Sequence, residues 1–215
     1  MTRRTSIAAA VALTIISVSA CAAQRRASEQ VSPESPAARA HADSGRPAYT
    51  PADVHFIAGM IGHHAQAILI AGWAPSHDAS PAVRALCERI VVAQQDEIAF
   101  AQRWLRERGE YVPPADPRGH IMQGHDHPML MPGMLTPEQT AQLDASRGRE
   151  FDRLFLTFMI QHHQGAITMV QQLLASPGAG QDGPVFRFAS DVNADQTTEI
   201  NRMTLMLEDL KRSSQ

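Results

Sequence analysis

Two copies of one short pattern hold most of the side chains able to do chemistry. Met60-Ile61-Gly62-His63-His64-Ala65-Gln66-Ala67-Ile68 and Met159-Ile160-Gln161-His162-His163-Gln164-Gly165-Ala166-Ile167 lie 99 residues apart. Each follows the same frame, Asp53 and Phe56 in the first copy, Asp152 and Phe155 in the second. Between residues 53–68 and 152–167, eight of sixteen positions are identical, both histidines included. Paired imidazoles beside a thioether are side chains capable of binding a transition metal. Structural duplication needs only apolar spacing, so four histidines kept in register ask for a further reason. Each buried imidazole also carries a desolvation cost.

The partner elements repeat as well. Gln94-x-x-Glu97-Ile98 corresponds to Gln196-x-x-Glu199-Ile200. Counting back from the turns places Glu97 beyond Met60 toward Asp53, Gln196 near His163 and Glu199 near Met159, each to within one helical turn (about 5.4 Å). Glutamates facing histidines would make a mixed N/O site of the kind found in carboxylate-bridged bundles. The alternative is a buried polar network that fixes helix register.

A second concentration lies between the two halves. Residues 120 to 134 contain three His and four Met, namely His120, Met122, His125, His127, Met129, Met131 and Met134. Imidazole mixed with thioether suits Cu(I), and His125-x-His127 would also hold Cu(II), Ni or Zn. The bland reading is that the methionines, with Leu130, cap the end of the fold. His41, His55 and His77 stand alone and read as incidental.

These groups must be positioned by helices. Thr50-Pro51, Ser80-Pro81, Thr136-Pro137 and Asp182-Gly183-Pro184 are start signals, with a hydroxyl or acid cap before proline. Ala74-Pro75, Gly109 and Ser176-Pro177-Gly178 are stops. Helices follow over about 51–74, 81–108, 137–146, onward past Gly148 to 175, and 184–211. No segment alternates with period two, so the expected class is all-α. Two similar helical hairpins, about 51–109 and 137–211, joined by the crossover 110–136, predict a ferritin-like four-helix bundle over 51–211. In it Asp53, Phe56, Met60, a histidine and Ala67 share one stripe, and Asp152, Phe155, Met159, a histidine, Ala166 and Met169 share its counterpart.

The N-terminus bounds the location. Arg3, Arg4 and the apolar run Ile7 to Ile16 read as an export signal over residues 1–20. Val18-Ser19-Ala20-Cys21 resembles a lipobox, which makes Cys21 the acylated first residue of a lipoprotein; cleavage after Ala22 is the alternative. The mature chain is then periplasmic or at the cell surface, held to the membrane by lipid alone. Residues 21–50, poor in large apolar side chains, read as a tether. Loss of two arginines and no acid takes the formal charge from −3 to −5, which argues against nucleic acid. With Cys21 lipidated, Cys87 has no partner and reads as a buried, inert thiol.

The doubled Met-Ile-x-His-His-x-x-Ala-Ile block resembles the hallmark of the bacterial family "domain of unknown function 305". Phe151-Asp152-Arg153-Leu154-Phe155-Leu156, Met131-Pro132-Gly133-Met134 and the two Gln-x-x-Glu-Ile elements are similar to its other signatures, and the resemblance covers about residues 51–210. It implies a ferritin-like four-helix fold, export and, for some relatives, copper binding or tolerance. Family members often carry Met where Ile70 and Ala101 stand here, whereas Met169 and Met203 keep the thioether. A thioether-rich site is therefore expected mainly from the last two long helices. The leading expectation is a copper-sequestering or chaperoning protein, Cu(I) favoured, with other transition metals admitted and association with a second copy left open. A metal-dependent oxidase and a non-metallated structural lipoprotein are the competing classes. No Ser/His/Asp, Cys/His or phosphate-cradling arrangement points to other enzyme chemistry.

Overall fold

The computed structural model describes residues 49–119 and 130–213. The export signal, Cys21, nearly all of the tether, and His120, Met122, His125, His127 and Met129 lie outside the described residues. Five helices and no strand are present among the described residues: α1 (Pro51–Ala71), α2 (Pro81–Glu107), α3 (Pro137–Ala145), α4 (Gly148–Ala175) and α5 (Gly183–Arg212). Their starts match the sequence signals. Thr50 and Asp53 form a reciprocal capping box on α1, Thr136 and Gln139 do so on α3, and Ser80 and Asp182 cap α2 and α5. Helix α1 stops at Ala71, three residues before the expected end, because the chain turns tightly through Gly72–Asp78.

Helix α1 pairs with α2, α4 pairs with α5, and the two hairpins meet through α1 and α4. This central position explains the composition of α1, which is apolar around most of its circumference and buried along most of its length. By length and composition it could cross a membrane, against the expectation that no run after the export signal approaches that length. Yet 78% of its apolar window is covered by the rest of the protein, as in a core helix. Helices α2 and α5 bury one stripe each and leave the other face in water.

The core falls into two clusters. Met60, Met131, Met134 and Met169 belong to one, with Phe56, Trp104 and Phe188. Met159 and Met203 belong to the other, with Phe151, Phe155 and Cys87. The thioethers therefore do not collect on α4 and α5 as expected. Met169 joins the crossover methionines on the α1 side, and Met203 packs elsewhere. Burial pushes the Cys87 thiol up to about 12, so it stays protonated and inert.

The two hairpins are cross-tied by the aspartates of the repeat. Asp53 accepts from the backbone N–H of Gly180, in the turn between α4 and α5, at 2.8 Å. Asp152 accepts from the N–H of Ser80, at the start of α2, at 3.1 Å. Each copy thus satisfies a turn amide of the other. His77, read as incidental, is a structural pin: its carbonyl accepts from Gly148 N at 2.8 Å, and its Nε2 lies 2.9 Å from the Asp144 carbonyl. Its ring stacks on Trp73.

Candidate metal centre

All four histidines of the doubled block point inward, with ring exposures of 1% or less. Their 100° offset along each helix sends them to different neighbours. His63 and His162 meet across the α1–α4 seam with ring centroids 3.8 Å apart. His64 and His163 turn instead toward α2 and α5. Small residues at positions 67 and 166, both fully buried, let α1 and α4 approach closely here.

Each imidazole has one nitrogen facing an acceptor. Nε2 of His63 lies 3.0 Å from the Pro132 carbonyl, and Nε2 of His162 lies 3.1 Å from the His63 carbonyl. Nε2 of His163 is 2.6 Å from Glu199 Oε2. His64 Nε2 is 2.8 Å from Glu97 Oε2, within ion-pair distance but misaligned for a hydrogen bond. Carbonyl and carboxylate oxygens only accept, so on His63, His162 and His163 Nε2 carries a proton and donates. The Nδ1 atoms of all four rings are buried and without a hydrogen-bond partner, and on His64 both ring nitrogens are.

Neutrality is enforced for the central pair. Burial, then the neighbouring His64, lowers His63 to about 3. His162 is held well below the ordinary histidine value by burial, then by His63, His163 and His64. The side-chain amide of Gln94 and the Oε1 of Gln196 are also buried and unpartnered. An unsatisfied polar set of this density is costly in a folded interior unless it serves a ligand.

Glu199 sits about one turn, and Glu97 about two turns, from the expected level. Glu97 meets His64 rather than lying beyond Met60, and Glu199 meets His163 rather than Met159, because the geometry of the interhelical turns sets these levels and a residue count does not. Met60 and Met159 are fully buried one turn before the histidine pairs. Among the described residues, no three His, Cys, Asp or Glu side chains already converge as a ready-made cage. On the outer side, Asp96, Glu97, Asp191 and Asp195 line a cleft of about 400 Å³ between α2 and α5. The Asp195 carboxyl is raised by burial and then by Glu97, Glu199 and Asp191, which places these acids within electrostatic reach of one another.

The crossover reaches the centre through positions where the two copies differ. Gly62 and Gln66 on α1 correspond to Gln161 and Gly165 on α4, an exchange of the same two residue types. A Cβ on Gly165 would lie 1.9 Å from the Pro132 carbonyl, so glycine there admits the 132–133 backbone. A Cβ on Gly62 would lie 3.3 Å from the Asp116 and Gly119 backbone. Gln66 grips the crossover through the Leu135 N–H at 2.7 Å, the Leu135 carbonyl at 3.0 Å and the Pro117 carbonyl at 3.2 Å. Gln161 donates to the Gly133 carbonyl. Sequence comparison weighted the identical positions and missed this pair, although the swapped Gly and Gln were visible in the alignment of the two copies.

The remaining expected ligands divide. Met131 and Met134 are buried, and Met134 Sδ accepts from the Met131 N–H at 3.4 Å. Leu130 stays exposed and does not cap the fold. Met169 is buried two turns along α4 from His162, beside Met131.

The all-helical fold agrees with the comparisons. The profile of "Domain of unknown function (DUF305)" matches residues 53–207. The chain belongs to the DUF305 family. A DUF305 fragment from Deinococcus radiodurans is 29% identical, with a TM-score of 0.62 over 76% of this chain and 99% of that one. A DUF305 protein from Streptomyces coelicolor is 24% identical, with a TM-score of 0.63 over 74% and 94%, and shows likeness of fold. CopM in its Cu(II)-bound form is 25% identical, with a TM-score of 0.57 over 73% and 96%. CopM is also known in Cu(I)-bound and silver-bound forms. No curated protein matches the sequence.

Proposed function

We propose that this DUF305 protein is an exported copper-sequestering or chaperoning protein that holds its ion at the histidine centre, with Cu(I) favoured. The observation that carries this reading is the set of four buried Nδ1 atoms, on His63, His64, His162 and His163, without partners. Metal-bound histidines characteristically donate their other N–H to a carbonyl or carboxylate, which fixes the ring and raises its basicity. Pro132 O, His63 O, Glu97 and Glu199 occupy those outer places. The glutamates therefore orient the imidazoles from behind, and Met60 and Met159 are the nearest soft groups on the same helices.

Sequestration suits the site better than turnover. A closed interior with neutral ligands favours a low-charge soft cation, and rearrangement is needed to gather the rings around it. The carboxylates of the α2–α5 cleft give cations a favourable approach. The crossover residues His120, Met122, His125, His127 and Met129, with Met134, are proposed to receive ions before transfer. CopM relatives with bound copper and silver support the metal class, and the Streptomyces coelicolor relative, provisionally described as secreted, supports export. Lipidation at Cys21, and through it membrane anchoring, completes the proposal.

Metal analysis of protein purified from its native compartment, followed by Cu(I) competition titration, tests the reading. Bound copper that is lost in a His64→Gln, His163→Gln variant supports it. Retention of no transition metal overturns it in favour of a structural lipoprotein. Steady oxygen consumption on addition of Cu(I) or Fe(II) would instead assign an oxidase.

A further inference from the structure

Away from the histidine pairs, α1 carries a second group of ligand-type side chains. His55 and Gly59 are four residues apart and share a face of the helix. At Gly59 a Cβ would lie 2.5 Å from Met131 Cε, 3.4 Å from Met131 Sδ and 3.4 Å from Met169 Cε. The ends of two methionines, one from the crossover and one from α4, therefore come together over a bare stretch of α1. They border an opening of about 60 Å³ with His55, Ala52, Phe56 and Leu173.

We infer that His55, Met131 and Met169 form a distinct binding site for one soft monovalent cation, Cu(I) or Ag(I). The opening holds only a few waters, room for a single ion. Two thioethers and an imidazole are a soft donor set, and no Asp or Glu is among the described lining residues. Phe56 and Leu173 make the walls apolar, which penalises a divalent charge more than a monovalent one. Access is present: His55 is exposed, while the thioethers are 7% and 3% exposed.

The duplication supplies an independent argument. The counterparts of His55, Gly59 and Met169 in the other copy are Leu154, Phe158 and Ile70. Packing alone would keep similar apolar types in both copies. Here three positions depart together, one to an imidazole, one to a thioether and one to the residue that leaves space for them. The site is accordingly single, and it lies between the levels of Gly59 and His55, about 6–12 Å along the α1 axis from His63 at 1.5 Å per residue.

The test is Ag(I) titration of the full chain, followed by the methyl resonances of ¹³C-labelled methionine, with Cu(I) competition in parallel. Met131 and Met169 methyls are expected to shift together within the first equivalents. Met131→Leu and Met169→Leu should each remove one soft-ion equivalent, and His55→Gln should weaken it about tenfold or more, the scale of losing one supporting ligand. Leucine keeps the volume of methionine, and circular dichroism confirms that the variants fold. Unchanged soft-ion stoichiometry in both Met variants, or unmoved Met131 and Met169 resonances, overturns the inference. Loss of metal only in the His64→Gln, His163→Gln variant bears on the histidine centre instead, so the two failures are distinguishable.

Discussion

Nε2 of His162 donates to the backbone carbonyl of His63 at 3.1 Å, but His63 does not return the contact to its counterpart. It donates instead to Pro132 of the crossover, at 3.0 Å. The crossover residues 131–135 lie against His63, Gln66 and Gly165 at this seam. The central pair is thus asymmetric, with one ring held by the opposite helix and the other by the connecting segment. Any ion drawn to these rings meets two different levers, and movement of residues 131–134 acts directly on His63.

The depressed histidines predict acid lability. His63 falls from 6.5 to about 3 on folding, and His162 falls in the same direction. Below 6.5 the unfolded chain takes up protons on these rings and the folded chain does not, so stability drops as pH falls through that window. Each histidine contributes a loss of about 1.4 kcal/mol per pH unit. The urea midpoint of the metal-free protein is expected to fall between pH 7 and pH 5, and His63→Gln should remove one histidine's share of that slope. A flat midpoint across this range contradicts the neutral-ring assignment.

Gly165→Ala is expected to displace the crossover. The added methyl would meet the Pro132 carbonyl at 1.9 Å, a contact between two backbones that cannot relax by rotating a side chain. A cost of about 2–3 kcal/mol in urea unfolding is expected, in the overpacking range. At Gly62 the corresponding contacts are 3.3 Å, and the helix gains roughly 1 kcal/mol from alanine. Gly62→Ala should therefore stay close to wild type, and equal effects at the two sites would refute this account of crossover seating.

Much of the frame was legible because local signals agree with the fold. The proline-led caps mark the helix starts, and the doubled block announces two related hairpins whose histidines turn inward. Contacts between distant segments were not legible. The cross-tie from Asp53 to Gly180 spans 127 residues, and neither residue type announces it. His77 looked incidental because its partners, Trp73 and the Asp144 carbonyl, are assembled by the turn and by α3. The levels of Glu97 and Glu199 depended on loop geometry, which periodicity does not encode. His55 was set aside for standing alone in sequence, while its proposed companions arrive from α4 and the crossover.

The two aspartates should differ in weight. Asp53 accepts from Thr50 N and Oγ1, both at 2.7 Å, and from Gly180 N. Asp152 accepts from Ser80 N, shared between its two oxygens at 3.1 and 3.3 Å. Leaving buried donors unmet costs about 1–3 kcal/mol each, so Asp53→Ala is expected to destabilise more than Asp152→Ala. Hydrogen exchange provides a local check: the Gly180 amide should lose protection in the first variant and the Ser80 amide in the second.

The carboxylates behind the imidazoles make the sharpest test of the metal centre. His163 and Glu199 are aligned at 2.6 Å, whereas His64 and Glu97 are close at 2.8 Å but misaligned. A carboxylate accepting the Nε2 proton raises electron density at Nδ1, and an amide does so less. Replacement of such an outer partner typically weakens metal affinity about 10- to 100-fold. Glu199→Gln should fall in that range, and Glu97→Gln should lose less, because its contact is poorer before any ion is bound. Competition titrations of both variants with Cu(I) measure the two losses on one scale. If Glu97→Gln proved the more damaging, the carboxylate nearest His64 would be a direct ligand, and the division between inner imidazoles and outer glutamates would be wrong.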